Sequence, residues 1–246
     1  MKTPLYWSVL ALGFICGCRI DHVVTLYPDG SGKFTLSVGK REAVEIARKD
    51  QLLEELEGRW GGVVAWAEPV VRSEGGWNYL TLTGYFDDIN SFRIWNNQYR
   101  PETPIERRTA AVRVEYSKSE DNHRLVFSSW KEHFSEPSAN WKPEGGRFLN
   151  KIILPGPVKE ASGVTFQDGR NAGVLVDDAL MADLVAGKEE AKRKVAEVNP
   201  GVITLSWTKS EIPDDDVQQF KMELSQAKKR WKLQREEWAK SGKEKK

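Results

Sequence analysis

The chain has 246 residues, 39% of them hydrophobic and 30% charged, with ten tryptophans, which is enough apolar material for one large or two small domains. Its 37 Lys and Arg balance 36 Asp and Glu, so there is no electrostatic reason to expect nucleic acid, whose binders carry a basic excess. Both cysteines fall within the first eighteen residues, which excludes a disulfide framework or a cysteine-built metal site in the remainder.

The first segment reads as an address. Lys2 provides a positive start, Leu5 to Ile15 form a short apolar run, and Ile15-Cys16-Gly17-Cys18 places a small residue before a cysteine. Charge, apolar stretch and small-residue processing site, in that order, mark a secretory signal. The run is too short for a spanning helix, which needs about 20 apolar residues. The last four residues resemble a bacterial lipobox. That resemblance implies removal of residues 1–17, diacylglycerol on the Cys18 sulfur and acylation, by palmitate for example, of the new amino terminus. Arg19 rather than Asp follows the cysteine. In a Gram-negative host this favours the outer membrane, with the body facing the periplasm. Loss of residues 1–17 removes Lys2 and leaves a formally neutral chain.

Residues 18–212 are expected to form an α+β domain, an antiparallel sheet packed by helices. Residues 19–27 are β-rich and run into Pro28-Asp29-Gly30-Ser31-Gly32, after which Phe34, Leu36 and Val38 alternate onto one face. Two such runs around a Pro/Asp/Gly turn predict a hairpin. Gly30-Ser31-Gly32-Lys33 is not a phosphate-binding loop, because Tyr27 stands where glycine is required and Phe34 where Ser or Thr is. Val44, Ile46, Ala47, Leu53 and Leu56 predict an amphipathic helix over 41–56, with Gly58 as a stop. Strands are expected at 63–71 and 77–83 around Ser73-Glu74-Gly75-Gly76, then a short helix after Asp87-Asp88 with an Asp as its cap. Further strands are expected at 110–116, 124–129, 148–154, 174–176 and 202–207.

The stretch 130–146 is irregular and is the best candidate for a long, functional loop. Residues 177–194 predict one helix with Leu180, Met181, Leu184 and Val185 inward. Residues 213–246 are organised as a long amphipathic helix and a basic tail. Val217, Phe220, Leu224, Ala227, Trp231 and Trp238 share one face, and acidic residues at the start suit the helix dipole. This helix either packs on its own domain or docks an envelope protein partner through Phe220, Leu224, Trp231 and Trp238.

No catalytic motif is present. His22, His123 and His133 have no metal-ligand spacing, no Gly-x-Ser-x-Gly elbow occurs, and no mature cysteine nucleophile remains. Neither a metal nor a cofactor is expected. The acid pairs Asp87-Asp88 and Asp177-Asp178 and the triplet Asp214-Asp215-Asp216 each sit where a helix begins, so capping accounts for them. Most tryptophans fall in expected strands and belong to a core. Trp130 and Trp141 lie in or beside the irregular stretch and are the candidate ligand-contacting pair. The expectation is a non-catalytic binding or structural module. The alternatives are a carbohydrate-active or other hydrolytic enzyme using scattered carboxylates, and an apolar-ligand carrier with a cavity between sheet and helices.

The lipobox cysteine, the following strand and the Pro28-Asp29-Gly30-Ser31-Gly32 turn, together with the stretch Leu154-Pro155-Gly156-Pro157-Val158-Lys159-Glu160-Ala161-Ser162-Gly163, resemble the LppM-type domain family of bacterial lipoproteins. That resemblance implies an α+β fold with an antiparallel sheet, anchored at a cell surface, and carries over no catalytic residue.

Overall fold

The computed structural model of the chain describes residues 19–42, 52–53, 56–57, 60–95, 110–119, 122–129, 145–198, 201–208 and 210–241. Its strands are β1 (Arg19–Leu26), β2 (Gly32–Lys40), β3 (Trp60–Gly61), β4 (Ala65–Trp66), β5 (Val70–Glu74), β6 (Trp77–Phe86), β7 (Arg93–Trp95), β8 (Ala110–Ser119), β9 (Asn122–Ser129), β10 (Arg147–Ile153), β11 (Val158–Ser162), β12 (Phe166–Asp168), β13 (Asn171–Asp177) and β14 (Val202–Trp207). The α-helices are α1 (Asp178–Val185), α2 (Glu189–Val198) and α3 (Asp214–Ser241). The class is α+β, with mostly antiparallel sheets and a long C-terminal helix.

The first hairpin forms as its residues dictate. β1 and β2 pair antiparallel with Val24 opposite Phe34. In the turn, the Asp29 carboxylate accepts from the Ser31 N–H at 3.1 Å and from the Ser31 hydroxyl, while Gly30 takes φ +85°. An Asp bonding two residues ahead beside a glycine with positive φ is a self-contained turn device. Those hydrogen bonds and Lys221 hold the Asp29 carboxyl below its usual range, although burial acts the other way.

Strand order in the larger sheet is β12-β13-β10-β1-β2-β6-β4, with β5 also on the outer edge of β6. The smaller sheet runs β11-β14-β9-β8-β7-β3. Among the described residues one pairing is parallel: β1 lies beside β10, Arg19 level with Arg147. One apolar cluster draws on both sheets, including Val24, Phe34 and Phe86 from the larger and Val114, Leu205 and Trp207 from the smaller.

Several expected elements are corrected by chain punctuation. The strand expected over 63–71 is divided into β4 and β5, separated at Glu68-Pro69, since proline lacks the N–H a ladder needs. The helix expected over 177–194 is two helices. Gly187, at φ +73°, ends the first turn of chain after α1, and α2 restarts at Glu189. Residues 52, 53, 56 and 57 are helical, and Leu52, Leu53 and Leu56 are buried. The rest of the helix expected over 41–56 lies outside the described residues or, at 41 and 42, is a bend.

Helix α3 lies against the body along the expected stripe. Phe220, Leu224, Ala227 and Trp231 are buried, and Phe220 stacks on Tyr27 with ring centroids 3.8 Å apart. Exposed ion pairs flank the stripe: Lys221–Asp29 at 3.6 Å, Lys228–Asp87 at 2.6 Å and Arg235–Glu57 at 3.2 Å.

Candidate functional site: a charged cleft beside the C-terminal helix

The far ends of β1 and β2, the β12–β13 turn and the start of α3 enclose a cleft of about 240 Å³. Strand alternation sends Thr25 and Lys33 to the same face as one another, as their pairing requires. Tyr27 continues from β1 and, with Phe220, forms a flat aromatic wall, the two rings 11° from parallel. Arg170 is half-buried and donates from Nε to the Leu154 carbonyl at 2.7 Å. That bond fixes the guanidinium plane, and among the described residues no carboxylate pairs with its remaining N–H groups. Asp216, one helical turn before Phe220, lines the opposite side.

Glu223 is committed to structure. One carboxylate oxygen accepts from the Tyr85 hydroxyl at 2.6 Å and the other from Lys33 at 3.4 Å. Burial first, and then this hydrogen bond and the Glu223 charge, push the Tyr85 hydroxyl well above the ordinary tyrosine range. Tyr27 is raised for related reasons: burial, then the negative charges of Glu223 and Asp216. The cleft therefore presents the neutral Tyr27 phenol, a fixed guanidinium and, in Asp216, a carboxylate with no cationic partner among the described residues. This combination suits a small molecule bearing both an anionic and a cationic or donor group, and it is unsuited to an acyl chain.

Sequence reasoning did not single out this group. Lys33 was the terminal lysine of a rejected phosphate loop, Asp216 was one of three acids at a helix start, and Arg170 lies in a turn without a motif. Four chain segments converge there, so no spacing rule could expose it.

Cys18, Trp130 and Trp141 lie outside the described residues. Phe220, Leu224 and Trp231 are 1%, 8% and 4% exposed, and Trp238 is half-buried, edge-on to Trp231 at 5.4 Å. The stripe read as a possible partner surface is thus covered by the protein's own body, because the same apolar side chains complete the core cluster. Of the tryptophans expected in a core, Trp60, Trp66, Trp77 and Trp207 are buried, and Trp95 is half-buried.

The acid pairs are tied to local structure. Asp88 caps the 3-10 turn Ile89–Ser91 by accepting from Asn90 N–H, and Asp177 caps α1 by accepting from Leu180 N–H at 3.0 Å. Asp178 accepts from Gly145 N–H at 2.6 Å. Among the described residues, no three His, Cys, Asp or Glu side chains gather where they could hold a metal, and no helix is long and apolar enough to cross a membrane.

Two histidines sit in aromatic surroundings. His22 lies between Phe34 and Phe148, each 5.7 Å away, and burial pushes its imidazole down to about 4. His123 stacks on Trp207, its Nδ1 2.7 Å from the Tyr116 hydroxyl. On the outer face of the larger sheet, Asp21 is 9% exposed and accepts from Arg147 Nε at 3.0 Å, with a second bond from Nη2.

No protein-family model and no curated protein matches the chain. Among solved structures, the folded domain of Mycobacterium tuberculosis LppM is similar at a TM-score of 0.34 and 10% identity, over 79% of this chain and 91% of that one.

Proposed function

We propose that this protein is a bacterial envelope lipoprotein, acylated on Cys18, whose α+β body is a non-catalytic binding or structural module. The observation that carries the reading is the union of anchor and fold. The lipobox cysteine is followed directly by Arg19, the first residue of β1, and β1 lies inside the larger sheet between β10 and β2. Two or three acyl chains hold a protein stably at a bilayer, at about 0.8 kcal/mol per buried CH₂. Arg19 after the cysteine favours the outer membrane, facing the periplasm, in a Gram-negative host.

With Phe220, Leu224 and Trp231 committed to the body, the binding role falls to the Arg170 cleft, and the ligand class is small and polar. Its carboxylates support binding over hydrolysis: Glu223 has both oxygens engaged by Tyr85 and Lys33, which leaves Asp216 alone where glycoside hydrolysis uses a pair.

Detergent phase separation of the exported protein tests the anchor. The natural form partitions into the detergent phase. A form carried out by an ordinary secretory signal, with Cys18→Ala, partitions into the aqueous phase. Aqueous partitioning of both forms would overturn the reading.

A further inference from the structure

We propose that the cleft at the start of α3 holds a small zwitterion of the amino-acid type, its carboxylate on Arg170 and its ammonium group on Asp216. This rests on the Arg170 cleft being the binding site, and it specifies the ligand chemistry that site selects.

Four ionised side chains line the cleft: Lys33, Arg170, Asp216 and Glu223. Lys33 and Glu223 neutralise one another at 3.4 Å, and the second Glu223 oxygen is taken by the Tyr85 hydroxyl. One cation and one anion remain. Arg170 and Asp216 both act on the Tyr27 hydroxyl, yet among the described residues neither forms an ion pair with the other or with any third group. Arg170 cannot swing across without giving up the bond from its Nε to the Leu154 carbonyl. Its remaining N–H groups form a fixed fork of the kind that matches the two oxygens of a carboxylate. A ligand with one negative and one positive group satisfies both side chains at once.

Other ligand classes fit less well. An anion on Arg170 leaves Asp216 without a partner and enters a space already negative: at the Tyr27 hydroxyl, Glu223 and Asp216 each act more strongly than Arg170. A cation on Asp216 leaves the half-buried guanidinium without a carboxylate. A neutral sugar leaves both charges unmatched. Mismatched or like charges brought together are what reject a wrong partner. Size narrows the class further. About 240 Å³ lies below the roughly 300–1,000 Å³ of sites that take drug-sized ligands, so the skeleton between the two charges is short. The Tyr27 ring, stacked on Phe220, and Ile212 offer apolar surface to its carbon atoms. Asp216 is exposed and stands at the mouth, where the ammonium group enters last.

The acylated protein in nonionic detergent is screened by saturation-transfer NMR against the free amino acids and glycyl dipeptides, and the best zwitterion is then titrated by calorimetry. Its deaminated acid and its decarboxylated amine serve as single-charge analogues, with acetate and inorganic phosphate as plain anions. The zwitterion should bind with a submillimolar Kd and each analogue at least about tenfold more weakly. Arg170→Gln and Asp216→Asn should each weaken the zwitterion by at least about tenfold. Asp214→Asn, the same charge change on an exposed residue outside the cleft, should leave its affinity unchanged. Preference among the probes separates a free amino acid from a short peptide as the source of the zwitterion. A plain anion or the deaminated acid binding as tightly as the zwitterion, with Arg170→Gln alone weakening it, overturns the zwitterion and leaves a small-anion cleft. Zwitterion binding that neither cleft variant weakens overturns the assignment to this site. Binding by none of the probes overturns the cleft reading as well.

Discussion

Replacing Phe220 by alanine removes the centre of the contact that holds α3 to the body. Phe220 is 1% exposed, stacked on Tyr27 at 3.8 Å and 6.5 Å from Tyr85. Deleting a buried phenyl ring costs about 3–5 kcal/mol, the transfer energy of the ring plus the cavity it leaves. The ion pairs along the helix cannot compensate. Lys221–Asp29 and Lys228–Asp87 have side chains 42–50% exposed, where such pairs contribute at most about 1 kcal/mol. In a chain of this size 1 kcal/mol corresponds to about 2–4 °C in Tm, so Phe220→Ala should lower Tm by about 6–20 °C. Circular dichroism at the helical band during heating and in urea measures it. An early loss of helix content ahead of the main transition is the same energy read locally, with α3 opening as a unit. Met222→Ala on the outward face, at 61% exposed, should stay within about 0.5 kcal/mol of the parent. If Phe220→Ala behaves like Met222→Ala, the stripe is not packed on the body and the docking-helix reading regains its basis.

Three further outcomes are expected. Asp21→Asn breaks a charge-assisted pair whose carboxylate is mostly buried and whose guanidinium is about a third exposed, and leaves Arg147, whose guanidinium Asp21 otherwise holds above its ordinary range, without its carboxylate. Urea unfolding should show a loss of about 1.5–3 kcal/mol, and a loss below about 0.5 kcal/mol would contradict the geometry. His22, lowered from 6.5 to about 4 by burial, binds its proton more readily in the unfolded chain. Its contribution is therefore complete above pH 6.5 and is lost as pH falls from 6.5 to about 4. The His22→Phe variant should show a shallower pH dependence of stability across that window, by up to about 1.4 kcal/mol per pH unit; parallel curves would refute the burial. Gly163 and Gly169 both have positive φ, but a Cβ at Gly163 would strike the Val202 carbonyl while one at Gly169 meets nothing within 4 Å. Gly169→Ala should cost about 1–2 kcal/mol for the left-handed backbone alone, and Gly163→Ala clearly more; equal losses would argue against the β11–β14 approach.

Local signals in the sequence were enough for the β1–β2 hairpin, the Asp88 and Asp177 caps and the whole of α3. In each, the information lies within a few residues: an Asp-Gly turn, a carboxylate before a helix, apolar residues at three- and four-residue steps. The parallel pairing of β1 with β10 joins Arg19 to Arg147 across about half of the chain, and no local pattern encodes such a partner. Very short strands such as β3, β7 and β12 lack enough residues to show a period of two. The break at Gly187 was hidden because Leu184 in α1 and Ala191 and Val195 in α2 are spaced as if on one helix face. Asp21 reads as an ordinary polar residue of a β-rich segment; only its cross-strand neighbourhood shows that it is a buried ion-pair member. The cleft was illegible for the same reason, since Arg170 and Asp216 acquire meaning only when the β12–β13 turn meets the start of α3.

The account depends most on the covalent state of the residue before β1. Intact-mass and amino-terminal peptide mass spectrometry of the membrane-extracted protein measure that state directly. The account predicts a chain that begins at Cys18, with diacylglycerol thioether-linked to its sulfur and further acyl mass on its amino group. A chain that begins elsewhere, or a Cys18 with a free thiol, would contradict it.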